Sequence, residues 1–371
     1  MRVTKWQKAG LAIIFSIPLL YTSGVSIVTS AAEQPAVTNT KPIPEAIEKQ
    51  ELKLYSIQDQ DKHGFIDETG KVVIPPTFEV VGEFQNGLAV AKQGEKYGFI
   101  NNEGIFVIPP TYEEADSFTE EGLAAVRVGE KFGFINKQNE FIIPATFEFA
   151  RSFQDGLAAF SRNGKYGFID QTGKEVIPAE YEIVWGFQEG VTVAYKGDKA
   201  GYIDQTGKVI IPFQYMIANP FHEGVALVFE NEEHGYKMID KKGNEVFKPE
   251  GFEPGNFSEG VAEVMVEVGG DFKASYVNKN GSIMLPPTYE RTLPFSEGLA
   301  AVKINGKYGF INKKGTMMIK PQFQGGGVFH RGLAYVVLHD EAEGYAFAYV
   351  NKQGDIVWKS SPMKEFPGDL E

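Results

Sequence analysis

The sequence predicts an all-β chain. It reads as a tandem array of nine three-stranded antiparallel meanders of about 34 residues each, curved into an open solenoid, with a closed propeller-like ring as the alternative. Three observations predict this. A GFID-like string returns along the chain, and its last residue, Asp or Asn, stands at 67, 101, 136, 170, 204, 240, 278, 312 and 351. Glycine and proline together make 61 of the 371 residues, too many for a helical protein and normal for short strands joined by tight turns. The apolar runs are four to six residues long, and no window keeps a helical period over the ~10 residues a helix needs.

Ahead of the repeats lies a leader. Arg2, Lys5 and Lys8 precede an apolar run from Gly10 to Tyr21, and Ser30 and Ala32 form a small-x-small cleavage site. Residues 1–32 thus read as a secretory signal peptide, or as an N-terminal membrane anchor through residues 10–29 if uncleaved. Residues 33–51 are polar and proline-rich and read as a flexible linker. Removing the leader takes away three positive charges and no negative one, so the net charge goes from −13 to −16. So acidic a body repels phosphate backbones and anionic lipid, which argues against nucleic-acid binding. The absence of cysteine rules out disulfides and cysteine-ligated metals.

The copy at 87–118 shows one unit in order. A first strand (Gly87–Ala91) and a polar turn lead to a second strand (Tyr97–Asn101). A turn of pattern Asp/Asn-x-x-Gly follows, as in Asp67 to Gly70 and Asn101 to Gly104. The first side chain caps the backbone and the glycine supplies positive φ. Asn139 replaces that glycine once, and asparagine best tolerates the same conformation. A third strand runs to a proline (Pro75, Pro109, Pro144, Pro178, Pro212, Pro249, Pro286, Pro321), read as the point where pairing stops. Two aromatic columns follow, one from Phe78 and Tyr112 to Phe323, the other from Phe84 and Phe118 to Phe329. They are expected to fill the seams between neighbouring units.

These landmarks recur in the order of the bacterial WG-repeat (KWG) family, G-K-W-G-F/Y-I-D/N-x-x-G-x-x-V/I-I-P-P, which the chain resembles over residues 52–360, leaving 361–371 as a tail. The name-giving Trp slot holds instead His63, Tyr97, Phe132, Tyr166, Ala200, His234 and Tyr308. The resemblance implies a β-repeat protein, commonly exported, and supplies no activity.

Candidate chemistry is sparse. The Asp/Asn column mixes charged and neutral members, which suits turn caps better than metal ligands. Two acidic rows, one before each repeat glycine (Glu121, Asp155, Glu189, Glu223, Glu259, Glu297) and one at Glu79, Glu113, Glu148, Glu182, Glu253 and Glu290, read as solvated edges with lysine partners such as Lys96, Lys165 and Lys307. The sharper alternative is an acidic strip for a basic partner or for loosely held divalent cations. No nucleophile elbow, HExxH or phosphate loop is present, so no catalytic, cofactor or metal residues are assigned. The repeat weakens at 230–285 and 324–348, where insertions are expected to carry partner contacts. The partner-binding candidates are Trp185, His234, Tyr236, Tyr345 and Trp358. The expected function is a non-catalytic, exported interaction module at the cell surface with a protein partner. The alternatives are a cell-wall or glycan-binding module stacking on exposed Tyr and Trp, for which the column Tyr112, Tyr181 and Tyr289 is to be exposed, and a hydrolase with paired carboxylates.

Overall fold

The computed structural model describes residues 53–365. The expected leader and nearly all of the linker lie outside the described residues. Among the described residues there is no helix, and none is therefore long and apolar enough to cross a membrane. Nine antiparallel sheets follow one another: sheet 1 over 55–78, sheet 2 over 80–112, sheet 3 over 114–147, sheet 4 over 149–181, sheet 5 over 183–215, sheet 6 over 217–247, sheet 7 over 261–278, sheet 8 over 291–323 and sheet 9 over 329–359. The tandem array of β-meanders is as expected.

Most sheets have four strands, not three. The fourth is a pair of residues inside what reads as a loop, such as Glu114–Ala115, which runs beside the first strand of its unit. Two residues carry no periodicity, so sequence pattern does not reveal them. Sheet 1 shows three strands and sheet 7 two.

The turn chemistry holds in detail. The Asp67 carboxylate accepts the N–H groups of Thr69 (2.9 Å) and Lys71 (3.1 Å), while Gly70 takes φ 86° and Asn139 takes φ 64°. The proline reading needs correction. In sheets 1–5 and 8 the third strand runs through its prolines, as in Phe106–Tyr112, and pairing slips there between Phe99↔Ile108 and Tyr97↔Tyr112, whereas in sheet 6 it stops at Phe247, before Pro249, as expected. The prolines therefore sit in a bulge, where no ladder N–H is required. This explains the glycine of GFI: a Cβ on Gly98 would lie 2.4 Å from Ile108 O and 2.7 Å from Pro110 N. The Trp slot is also corrected in sheet 6. Tyr236 begins the second strand and fills it, whereas His234 lies in the preceding turn.

The expected aromatic seams are present. Phe65 packs on Phe84, Phe99 on Phe118, Phe168 on Phe187 and Tyr276 on Phe295, each pair 4.7 Å between centroids and each joining one sheet to the next. A buried ring contributes about 1.5–3 kcal/mol, which a lone meander could not gain.

The preferred open solenoid gives way to the closed ring. Eight hydrophobic cores lie between consecutive sheets, and a ninth joins sheet 9 to sheet 1 through Tyr55, Ile57, Ile66, Leu333, Tyr349 and Trp358. Tyr55 donates to Arg331 O (2.6 Å), Tyr349 to Ser56 O (2.9 Å), and Ser361 N–H to the Asp59 carboxylate (2.9 Å). The end units look degenerate because they are shaped for each other. Tyr335 stands where other units carry Ser56, Val90, Ala125, Ala159, Val193, Leu227, Glu263 or Ala301, and its bulk lies beside sheet 1, which lacks a described fourth strand.

Candidate functional site

Most members of both acidic rows are engaged within the ring. Asp155, Glu189, Glu223, Glu259 and Glu297 occupy the left-handed region (φ 50–56°) as the first residue of a two-residue turn, with glycine second. Each carboxylate reaches the next unit and accepts the N–H of its turn glycine: Asp155 from Gly190 (2.9 Å), Glu223 from Gly260 (2.8 Å), Glu297 from Gly332 (3.0 Å). Lys241, Lys279, Lys313 and Lys352 pair with Glu189, Glu223, Glu259 and Glu297 at 2.9–3.1 Å and also donate to the backbone oxygens of the same residues. Burial pushes the Glu189, Glu223 and Glu297 carboxyls up. The lysine and glycine N–H donors outweigh it and leave all three below the usual carboxylate range. At the closing seam Arg331 takes the acidic position, and Glu68 stands where lysine does elsewhere.

The second row behaves likewise. Glu113 accepts from Gly129 N–H and pairs with Lys96, and Glu182 pairs with Lys165 at 2.7 Å. The expected lysine partners are therefore in place for these two. Among the described residues no cluster of potential metal ligands is present.

What remains open is a groove of about 460 Å³ across sheets 3, 4 and 5. Its principal groups come from one register position, two residues before the seam phenylalanine. That position holds Gly82, Asp116, Arg151, Trp185, Asn219, Gly255, Leu293 and Gly327 around the ring. Asp116, Arg151 and Trp185 thus sit on three consecutive sheets and line one hollow. The next position makes room, with Ser117, Ser152 and Gly186 where other units have Glu83, Pro220, Asn256, Pro294 and Val328. A Cβ on Gly186 would fall 1.6 Å from the Gln154 side-chain oxygen, so glycine there lets the amide lie across the floor.

Arg151 lies 3.5 Å from Asp116 and 5.1 Å from the Phe149 ring centroid, and the Asp116 carboxylate also accepts from the Ser152 hydroxyl (3.0 Å). Trp185 is 40% exposed. Its backbone is pinned by its own N–H to Val193 O (3.0 Å) and by the Thr192 hydroxyl, which donates to Trp185 O (2.8 Å). Thr192 is buried and stands where seven other units have Ala89, Ala124, Ala158, Ala226, Ala262, Ala300 and Ala334 and sheet 1 has Tyr55. The groove is lined by one carboxylate, so it offers hydrogen bonding and stacking but not a pair of carboxyl groups for hydrolysis.

Of the five sequence candidates, the groove contains Trp185 alone. His234 is an exposed turn residue bonded to Asn231, and Tyr236 packs on Phe229 at 4.8 Å. Tyr345 lies against His339 at 4.4 Å, and Trp358 is part of the closing core. The insertions do not gather these side chains into one site. Tyr112 and Tyr181 are buried and Tyr289 half-buried, so they form no open stacking column. Sequence reasoning missed Asp116 and Arg151, although variation at their register position was a readable signal.

The family model described as WG containing repeat matches seven times, at residues 64–97, 97–132, 132–166, 166–199, 201–233, 275–308 and 308–341. No curated protein matches the chain. Among solved structures, a eukaryotic initiation factor is similar at TM-score 0.59 and 9% identity, with 85% of this chain and 97% of that one covered. Porphyromonas gingivalis dipeptidyl peptidase 4 follows at TM-score 0.48 and 8% identity, covering 83% and 58%. The extracellular domain of a hybrid two component system from B. thetaiotaomicron has TM-score 0.32 and 9% identity, covering 87% and 56%. At these identities the first likeness speaks for the fold alone.

Proposed function

The chain belongs to the WG-repeat family, and from that premise we propose that it is a non-catalytic binding module working outside the cytoplasm, with the groove across sheets 3–5 as its ligand face. One observation carries this reading: an acid, a base and an exposed indole converge from the same register position of three successive repeats. Tryptophan and arginine are also the residue types that dominate binding energy at interfaces. The export-type leader supports the location. A protein partner held along an acidic strip would need free carboxylates, and those of both rows are largely engaged by glycine N–H groups and lysines.

The test is binding of the purified chain to intact cells of its source. Trp185→Ala and Arg151→Ala should each release the protein, whereas Ile105→Gln, at an exposed apolar residue outside the groove, should not. Equal retention of all four proteins would refute the assignment.

A further inference from the structure

We propose that the groove takes a neutral saccharide of one or two rings, with a sugar face stacked on the Trp185 indole and adjacent hydroxyls bridging Asp116 and Arg151. This rests on the groove being the ligand face.

Charge is the first argument. Asp116 and Arg151 stand 3.5 Å apart and cancel, so the site has no net attraction for an ion. The chain around it carries a net −13, which repels carboxylated or phosphorylated polymers. Hydrogen bonding is the second. A sugar hydroxyl both donates and accepts, so neighbouring hydroxyls can donate to the Asp116 carboxylate and accept from the Arg151 guanidinium. The Gln154 amide and Ser117 hydroxyl at the same groove add one further donor and acceptor set. Shape is the third. At about 460 Å³ the hollow is within the ~300–1,000 Å³ range of small-ligand sites, and a flat, 40% exposed indole is its largest apolar element. An extended peptide is less well served. The bordering edge strands, Phe149–Ala150 and Ile183–Val184, are two residues long and too short to template an added strand.

Thr192 is the positioning residue of this site. Its hydroxyl holds the Trp185 backbone, so its loss should loosen the indole without removing a ligand contact.

The experiment is calorimetric titration of the whole chain with cellobiose, chitobiose and, as a charged control, digalacturonate, with a tetrapeptide mixture as the competing class. Tryptophan fluorescence is followed in parallel. Saturable binding of at least one neutral disaccharide is expected, with no response to digalacturonate. Trp185→Ala and Arg151→Ala should weaken it about tenfold or more, Thr192→Ala by a few-fold, and Thr192→Ser should restore it. Unchanged circular dichroism and urea midpoints would show that the variants are folded. No saturable response to any neutral sugar, while cell binding still depends on Trp185, would overturn the saccharide and leave the ligand face standing. Peptide binding in its place would do the same. Loss of both dependences would overturn the two readings together.

Discussion

Replacing Glu297 tests whether the acidic turns bind the sheets together. Its carboxylate accepts Gly332 N–H at 3.0 and 3.1 Å and pairs with Lys352 at 2.9 Å, joining sheet 8 to sheet 9, while its own backbone sits at φ 53°. A hydrogen bond to a charged group contributes about 1.5–3 kcal/mol, and the lower end applies to a side chain about a third exposed. The ion pair, equally solvated, adds about 0.5 kcal/mol. Glu297→Ala keeps the left-handed backbone and loses both contacts, so it should cost about 2 kcal/mol. Glu297→Gly loses the same contacts but relieves about 1 kcal/mol of backbone strain, so it should cost about half as much.

The pH dependence follows from the direction of the shift. Burial raises the Glu297 carboxyl, but the Lys352 and Gly332 donors hold it below its ordinary 4.5. Its contribution is therefore present above about pH 4.5 and is lost as pH falls through the lowered value. Urea unfolding at pH 7 and again near pH 3 would measure this, with the midpoint moving and the slope constant. A glycine variant as damaged as the alanine one, or an alanine penalty that persists in acid, would refute the reasoning.

Three further outcomes are expected. Phe118→Ala, which empties a fully buried position against Phe99, should cost about 3–5 kcal/mol in the same urea assay. Glu263 is raised by burial and its Oε2 has no partner among the described residues, so the folded state is penalised increasingly as pH climbs above the ordinary carboxyl value. Glu263→Gln should therefore stabilise by on the order of 1 kcal/mol near pH 8 and be neutral near pH 4, read from thermal midpoints. Burial pushes the Tyr112 and Tyr349 hydroxyls up to about 12, so both stay neutral in the fold where an unfolded chain would ionise. Stability should hold up to about pH 10 and fall between 10 and 12, with phenolate absorbance rising late and together with unfolding.

Much of the architecture was legible because it repeats. The Asp/Asn-x-x-Gly turn, with Asn139 as its telling exception, and the two aromatic columns are local chemistry that copies itself along the chain. What was illegible depends on partners distant in sequence. Glu114–Ala115 is a strand only because Ala124–Val128 of the same sheet offers it an edge. The prolines look like strand ends until Gly98 is seen to open space for a bulge. Arg331 and Tyr335 look like decay at the end of an array, and their fit is visible only once sheets 9 and 1 meet. At the site, Trp185 stood out by its residue type. Asp116 and Arg151 are ordinary surface residues in sequence, and only register brings them to the same hollow.

The joint between sheets 9 and 1 has a consequence for how such a chain can change. Tandem genes commonly gain or lose copies by slippage, and seven of the eight interior seams would offer a duplicate the same ring-on-ring contact, the seam between sheets 6 and 7 setting Met238 in one core with Phe257 instead. The terminal joint would not: each copy turns the path by one ninth of a circle, and an eighth or tenth would leave Tyr55 and Tyr349 facing nothing. The closing joint thereby fixes the number of copies, and a change that keeps the ring shut is a substitution within a register column.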